Sequence, residues 1–299
     1  MEKITAIGEI LYDIYPETKN LGGAPLNFLY HIHKFTGQGY IISRVGNDDL
    51  GHNAVDFVKS SGIITNYIQI DQLHPTGVTT VTLNKNKVPS FRIDEDRAYD
   101  FIEKTSEILQ LINESTDCVY FGSLAQRNKV TRETIQTLFN KKIKYFCDIN
   151  VRQKFYTRQI LYDSLNAATA VKLNLDELIL MNDLFLDEPF DIQVAPKKLM
   201  NKFNIELLAV TKGEDGSTLF YKDQVDDYKT TASDIVDTLG AGDAFASVLC
   251  IGYLRSWKLS KTNKLANEFA NEICKIEGAL PKTDEVYLKL KKKMDSEYQ

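Results

Sequence analysis

From Ala98 onward, short apolar runs alternate with segments of helical spacing. Cys118-Val119-Tyr120-Phe121, Lys144-Tyr145-Phe146-Cys147, Ala170-Val171-Lys172-Leu173 and Leu207-Leu208-Ala209-Val210 each predict a buried strand. Segments 100–113, 131–140 and 158–168 predict the helices between them. Strand followed by helix, repeated, argues for an α/β fold with a mostly parallel central sheet and helices on both faces. The first part of the chain adds expected strands at 3–9, 40–45 and 63–70, a helix after Pro25 and another near Asp49. Residues 76–93 have a different character. Val78 to Leu83 alternates and is β-branched, Asn84-Lys85-Asn86-Lys87 reads as a turn, and Val88 to Ile93 completes a hairpin whose Pro89 suits an edge. With residues 10–21 this hairpin predicts a small sheet standing apart, drawn from about 10–21 and 76–98 within a single domain of residues 1–299. A second hairpin is expected at 217–221 and 224–229, a buried helix over 244–251 and a long helix over 261–276. The Lys-rich tail from Pro281 reads as a solvated closing helix or a frayed end.

Composition narrows the function. The chain has 299 residues, 43% of them hydrophobic, enough for a sizeable core. No apolar run reaches the length of a membrane span, and charges interrupt the first nine residues, so neither a span nor a secretory signal is expected. A net charge of −5 argues against a general nucleic-acid binder, so any phosphate site must be local. Cys118, Cys147, Cys250 and Cys274 form no Cys-x-x-Cys pair and read as reduced core thiols of a cytoplasmic protein. The four histidines give no metal pattern, and no Gly-x₄-Gly-Lys-Ser/Thr loop or zinc signature occurs.

The chemistry concentrates at Asp237-Thr238-Leu239-Gly240-Ala241-Gly242-Asp243, just before the apolar helix. Gly240, Ala241 and Gly242 fall at its N-terminus, where unpaired N–H groups and the helix dipole favour an anion. Asp243 is either a charge comfortable in a first helical turn or a base able to take a proton from an attacking hydroxyl. Upstream, Gly22-Gly23-Ala24-Pro25-Leu26-Asn27 forms a turn entering a helix, and Asn27 faces back toward that turn. Asp13 is either an exposed loop residue or a carboxylate for sugar hydroxyls. Asp148, Asn150, Arg152, Asn174 and Glu177 all follow strands, where ligands gather in such sheets. Asp148 and Asn150 also suit turns, and Asn174 also suits a helix cap.

These stretches resemble the ribokinase-like (PfkB) carbohydrate kinases across nearly the whole chain. Asp237 to Asp243 is similar to the family's Asp-Thr-x-Gly-Ala-Gly-Asp signature, which implies Asp243 as catalytic base and the Gly240–Gly242 N–H groups as an anion hole. Gly22, Gly23 and Asn27 resemble its sugar-binding signature. Leu29, two residues after Asn27, stands where a small residue is common and argues against close packing there. Asn174 to Glu177 resembles an Asn-x-x-Glu motif that helps hold Mg²⁺ and phosphate, partly through water. Thr211, Gly213 and Gly216 resemble a nucleotide-binding turn, and Asn267 and Asn271 lie on a helix bordering the adenine. Arg152 is implied as a phosphate or substrate ligand. The small sheet becomes a lid over the sugar and, by the same resemblance, the interface of a homodimer. K⁺ is implied near Asp237 and Gly278. The implied substrates are ATP and a sugar. Gly8-Glu9-Ile10-Leu11-x-Asp13, Leu21 to Asn27 and Phe121 to Arg127 are most similar to fructokinases, so fructose 6-phosphate is the expected product. The alternatives are a 2-keto-3-deoxygluconate kinase, with Arg92, Arg97 or Arg152 meeting the carboxylate, and a catalytically silent sugar-binding regulator.

Overall fold

The computed structural model describes residues 2–83, 89–140, 142–230 and 234–296. The turn expected at Asn84–Lys87, the start of the next strand at Val88 and the last three residues of the tail lie outside them. The chain opens with β1 (Ile4–Ile7), β2 (Leu11–Ile14), β3 (Lys19–Gly22), α1 (Ala24–Thr36), β4 (Tyr40–Gly46), α2 (Asp49–Ser60) and β5 (Ile68–Asp71). It continues through β6 (Gly77–Leu83), β7 (Pro89–Ile93), α3 (Ser106–Ser115), β8 (Cys118–Gly122), α4 (Lys129–Leu138), β9 (Lys144–Asp148), α5 (Arg158–Ala167), β10 (Ala170–Asn174) and α6 (Leu175–Phe185). It closes with α7 (Ala195–Phe203), β11 (Leu207–Thr211), β12 (Ser217–Tyr221), β13 (Gln224–Tyr228), α8 (Ala241–Leu254), α9 (Leu259–Ile273) and α10 (Glu285–Ser296).

The large sheet runs in the order β13-β12-β11-β10-β9-β8-β1-β4-β5. It is parallel from β5 to β11, with the antiparallel β12–β13 hairpin at one edge. Alternation along β8 shows why both faces are covered: Cys118 and Tyr120 join one core, Val119 and Phe121 the other. The first core is closed by residues of α1, α2, α8, α9 and α10, the second by residues of α3 to α7. The small sheet has the order β3-β2-β6-β7, with β2 and β6 parallel and the outer strands antiparallel to them.

Several boundaries differ from those expected, each for a local reason. Residues 98–101 form a separate 3-10 turn, closed where the Arg97 N–H meets Asp100, and α3 begins only after Thr105, whose side chain accepts the Ile108 N–H. The strand expected at 63–70 is reduced to Ile68–Asp71, with Ile64 making one isolated bridge to Tyr40. Leu29 does not hinder packing: it is fully buried against Gly39, where a Cβ would come within 2.8 Å of it, so the small partner sits on the facing segment.

The tail is also less solvated than expected. Tyr287, Leu290 and Met294 of α10 are buried, and the Tyr287 hydroxyl lies 2.8 Å from Nδ1 of the fully buried His31 on α1. Burial pushes the His31 pKa down to about 3, so the ring is neutral and the pair is a neutral hydrogen bond. Tyr287→Phe should lower stability by about 1–3 kcal/mol, read as the shift of the denaturant midpoint at unchanged slope, because a buried imidazole nitrogen loses its partner.

Candidate active site

Two helices begin at the same end of the sheet. α1 starts after Gly23, whose φ of +111° requires glycine and whose missing Cβ leaves room for the Glu9 carbonyl. Pro25 occupies its first turn. α8 starts after Gly240, with φ +77°, and a side chain on Gly240 would run into Ala279. Neither N-cap has a side chain of its own. The first helical bond of α8 runs from the Ala244 N–H to the Gly240 carbonyl, so the orphan donors are the N–H groups of Gly240, Ala241, Gly242 and Asp243. Ala241 is partly occupied by a 3.3 Å bond to the Thr238 carbonyl.

Asn27, in the first turn of α1, donates from Nδ2 to Oδ2 of Asp243, in the first turn of α8, at 2.8 Å. The amide thus reaches across to the second helix while lying beside Gly22 of its own turn. Asp13 is not in a loop: it is buried in β2, with Thr79 of the neighbouring strand bonded to it. A Cβ on Gly22 would lie 3.5 Å from Asp13 Oδ2 and 3.9 Å from the Asn27 amide. Gly22, Asp13 and Asn27 therefore meet, and only a residue without a side chain leaves the space between them open. Burial raises the Asp13 pKa to about 6. Burial first, then the nearby Asp148, raises that of Asp243 to about 6, while Asn27, Lys172 and Arg152 oppose the rise.

Arg152 is exposed on the loop after β9, and its charge acts on Asp13, Asp243 and Glu9 alike. That loop is strained, with Asn150 and Gln153 at positive φ. Glu177 holds it: one carboxylate oxygen accepts the Val151 N–H and the other the Asn174 N–H, each at 2.8 Å. Asn174 completes a capping box by accepting the Glu177 N–H. Beneath α8, Lys172 places its ammonium 2.9 Å from both oxygens of Asp148, and Tyr120 donates to the same carboxylate at 3.2 Å. A Cβ on Gly242 would lie 3.2 Å from Lys172 Nζ, so a buried cation underlies the helix N-terminus.

On the far side, Thr211 ends β11, Gly213 has φ +60° and Gly216 φ +87°. Gly216 packs so tightly on the Tyr228 carbonyl that no side chain fits. The Asn267 amide donates to Ser217 Oγ and to Asn263, which ties α9 to β12. Asn271 is half-buried and donates to Thr230 Oγ1, just beyond β13. Asp237 is a loop fastener: its two oxygens accept the N–H groups of Leu239 and Gly278.

The polar groups thus line one end of the sheet, at the strand carboxyl ends. Residues 1–285 match the pfkB family of carbohydrate kinases. The chain belongs to that family. A sugar kinase of Pyrococcus horikoshii is 29% identical, over 95% of this chain and 94% of its own. A fructokinase of Escherichia coli is 27% identical over 84% of each. The crystal structure of the Pyrococcus horikoshii enzyme in complex with ATP, described as an uncharacterized sugar kinase, superposes with a TM-score of 0.75 at 27% identity, over 92% of this chain and 93% of that one. Membership makes the protein a sugar kinase; at these identities it does not select the sugar.

Sequence reasoning about this pfkB member passed over Lys172, Tyr120 and Glu9 as site residues. Lys172 had a signal, a charge inside an otherwise apolar central strand. Lys172→Met should destabilise the fold by roughly 3–5 kcal/mol, because it leaves the Asp148 carboxylate buried without its cation. Chemical denaturation checks this, and Lys172→Arg should recover part of the loss.

Proposed function

We propose that this kinase transfers the γ-phosphoryl group of ATP to the primary hydroxyl of D-fructose, forming fructose 6-phosphate and ADP. The observation that carries the reading is the Asn27–Asp243 bond at the opening of α8, which sets a desolvated carboxylate beside open backbone N–H groups. In this reading Asp13, Gly22, Gly23 and Asn27 hold the sugar. Asp243 takes the hydroxyl proton as the new O–P bond forms and the bond to the ADP oxygen breaks. The N–H groups of Gly240 to Gly242, with that of Asp243, stabilise charge on the phosphoryl oxygens, and Lys172 lies beneath them. Mg²⁺, when bound, neutralises the phosphates. Asn174 and Glu177 fit contact through water, since each Glu177 oxygen already accepts an N–H group. Thr211, Gly213 and Gly216 border the nucleotide, and the small sheet shields the sugar from water.

Fructose is favoured by the fructokinase-like stretches around Glu9, Asn27 and Arg127 and by the E. coli relative. The second reading, a 2-keto-3-deoxygluconate kinase, needs a cation for the substrate carboxylate. Arg97 is already paired with Asp94, and the exposed Arg92 lies 3.4 Å from the same residue. Arg152, whose charge reaches Asp13 and Asp243, is the arginine that favours it. The reading extends to a cytoplasmic enzyme, consistent with four unpaired cysteines, and to a homodimer through the small sheet.

The deciding experiment is ADP release from Mg·ATP with fructose, 2-keto-3-deoxygluconate, ribose, adenosine and fructose 6-phosphate. Turnover with fructose alone is expected. Preference for the keto acid would overturn the sugar and keep the mechanism, and sugar binding without any ADP release would point to a silent regulator. Asp243→Asn should lower kcat by about 10²–10⁴-fold. A base must be ionised to work, and the Asp243 pKa is raised. Activity (kcat/KM, which reports the free enzyme) should therefore be full above and lost below about pH 6.

A further inference from the structure

One buried carboxyl in this region has no part in the reading above. Glu9 follows β1 and is 3% exposed, and its Oε2 has no hydrogen-bond partner among the described residues. Its backbone carbonyl lies under Gly23, where a Cβ would also come within 3.4 Å of Glu9 Cγ. The N–H of Ala24, an orphan donor of α1, faces its carboxyl. Glu9 thus stands where an N-cap side chain would stand, and Gly23 cannot supply one. Three residues on, the same helix carries Asn27, whose Nδ2 holds Asp243 and whose Oδ1 is also buried without a partner.

We propose that Glu9 is a positioning residue for phosphoryl transfer: it seats the first turn of α1, and so Asn27, against Asp243. The proposal rests on Asp243 being the base. The groups acting on Glu9 from neighbouring elements are Asp243 on α8 and Arg152 on the loop after β9, while Glu9 in turn acts on Tyr120 of β8 and on Tyr99 of the 3-10 turn, whose hydroxyl is likewise unpartnered. Those acting on Asp243 are Asp148, Lys172, Arg152 and Asn27. Burial, reinforced by Asp243, raises the Glu9 pKa to about 7.

The test is kcat, KM for sugar and for ATP, and the denaturant midpoint in wild type, Glu9→Gln and Glu9→Asp. Glu9→Asp falls short of Ala24, so kcat should fall by about tenfold with the KM for ATP unchanged. Glu9→Gln keeps an acceptor oxygen at the reach Ala24 needs, so it should restore most of that loss. A merely structural residue would lower the midpoint and leave the kcat of the folded enzyme in place, and that result in a folded Asp variant would overturn the proposal. Should Glu9→Gln not fold, an Asp variant with wild-type kcat would overturn the proposal. Failure of the base reading looks different: Asp243→Asn would retain full turnover.

Discussion

Two helix N-termini converge in this molecule, and the rest of the site depends on that. Each contributes partial positive charge and donors that its own helix cannot satisfy. Such ends repel unless negative groups lie between them. Here the Asp243 carboxylate and the Glu9 carboxyl occupy the gap, and the Asn27–Asp243 bond ties the two helices across it. A donor-rich helix end and a desolvated carboxylate are thereby produced by one electrostatic arrangement.

That arrangement explains the use of glycine. Gly23 and Gly240 begin the helices in conformations closed to other residues, Gly22 leaves open the space between Asp13 and Asn27, and Gly242 lets Lys172 approach from below. The Lys172–Asp148 pair sits deeper, at the ends of adjacent strands, with Tyr120 as third member. Such a pair contributes little net stability but is costly to break, which suits a group whose place matters more than its energy.

Much of this was legible in the sequence. The parallel sheet followed from apolar runs of strand length between helical segments, and the separate small sheet from a change of period at Val78–Leu83. The glycine-rich helix starts were legible because few residues can occupy them. What was missed depended on contacts distant in sequence. Glu9 looked like an ordinary strand-end residue, because its burial depends on α1 and α8 closing over it. The shared helix face of Asn267 and Asn271 was legible, but not that the Asn267 amide is bonded to Ser217 of β12. The buried stripe of α10 was hidden among lysines, since three apolar residues at helical spacing do not stand out in a charged tail.

The bond between Asn27 and Asp243 spans 216 residues of chain. β1 lies between β4 and β8, and α1 is covered by α8 and then by α10. During synthesis Asn27 therefore emerges long before Asp243, and the first turn of α1 waits for its partner carboxylate. A chain cut before α8 keeps Asp13, Gly22 and Asn27 and lacks the group that Asn27 holds. The pairing of the two helix starts is thus a property of the assembled sheet and not of the segment that emerges first.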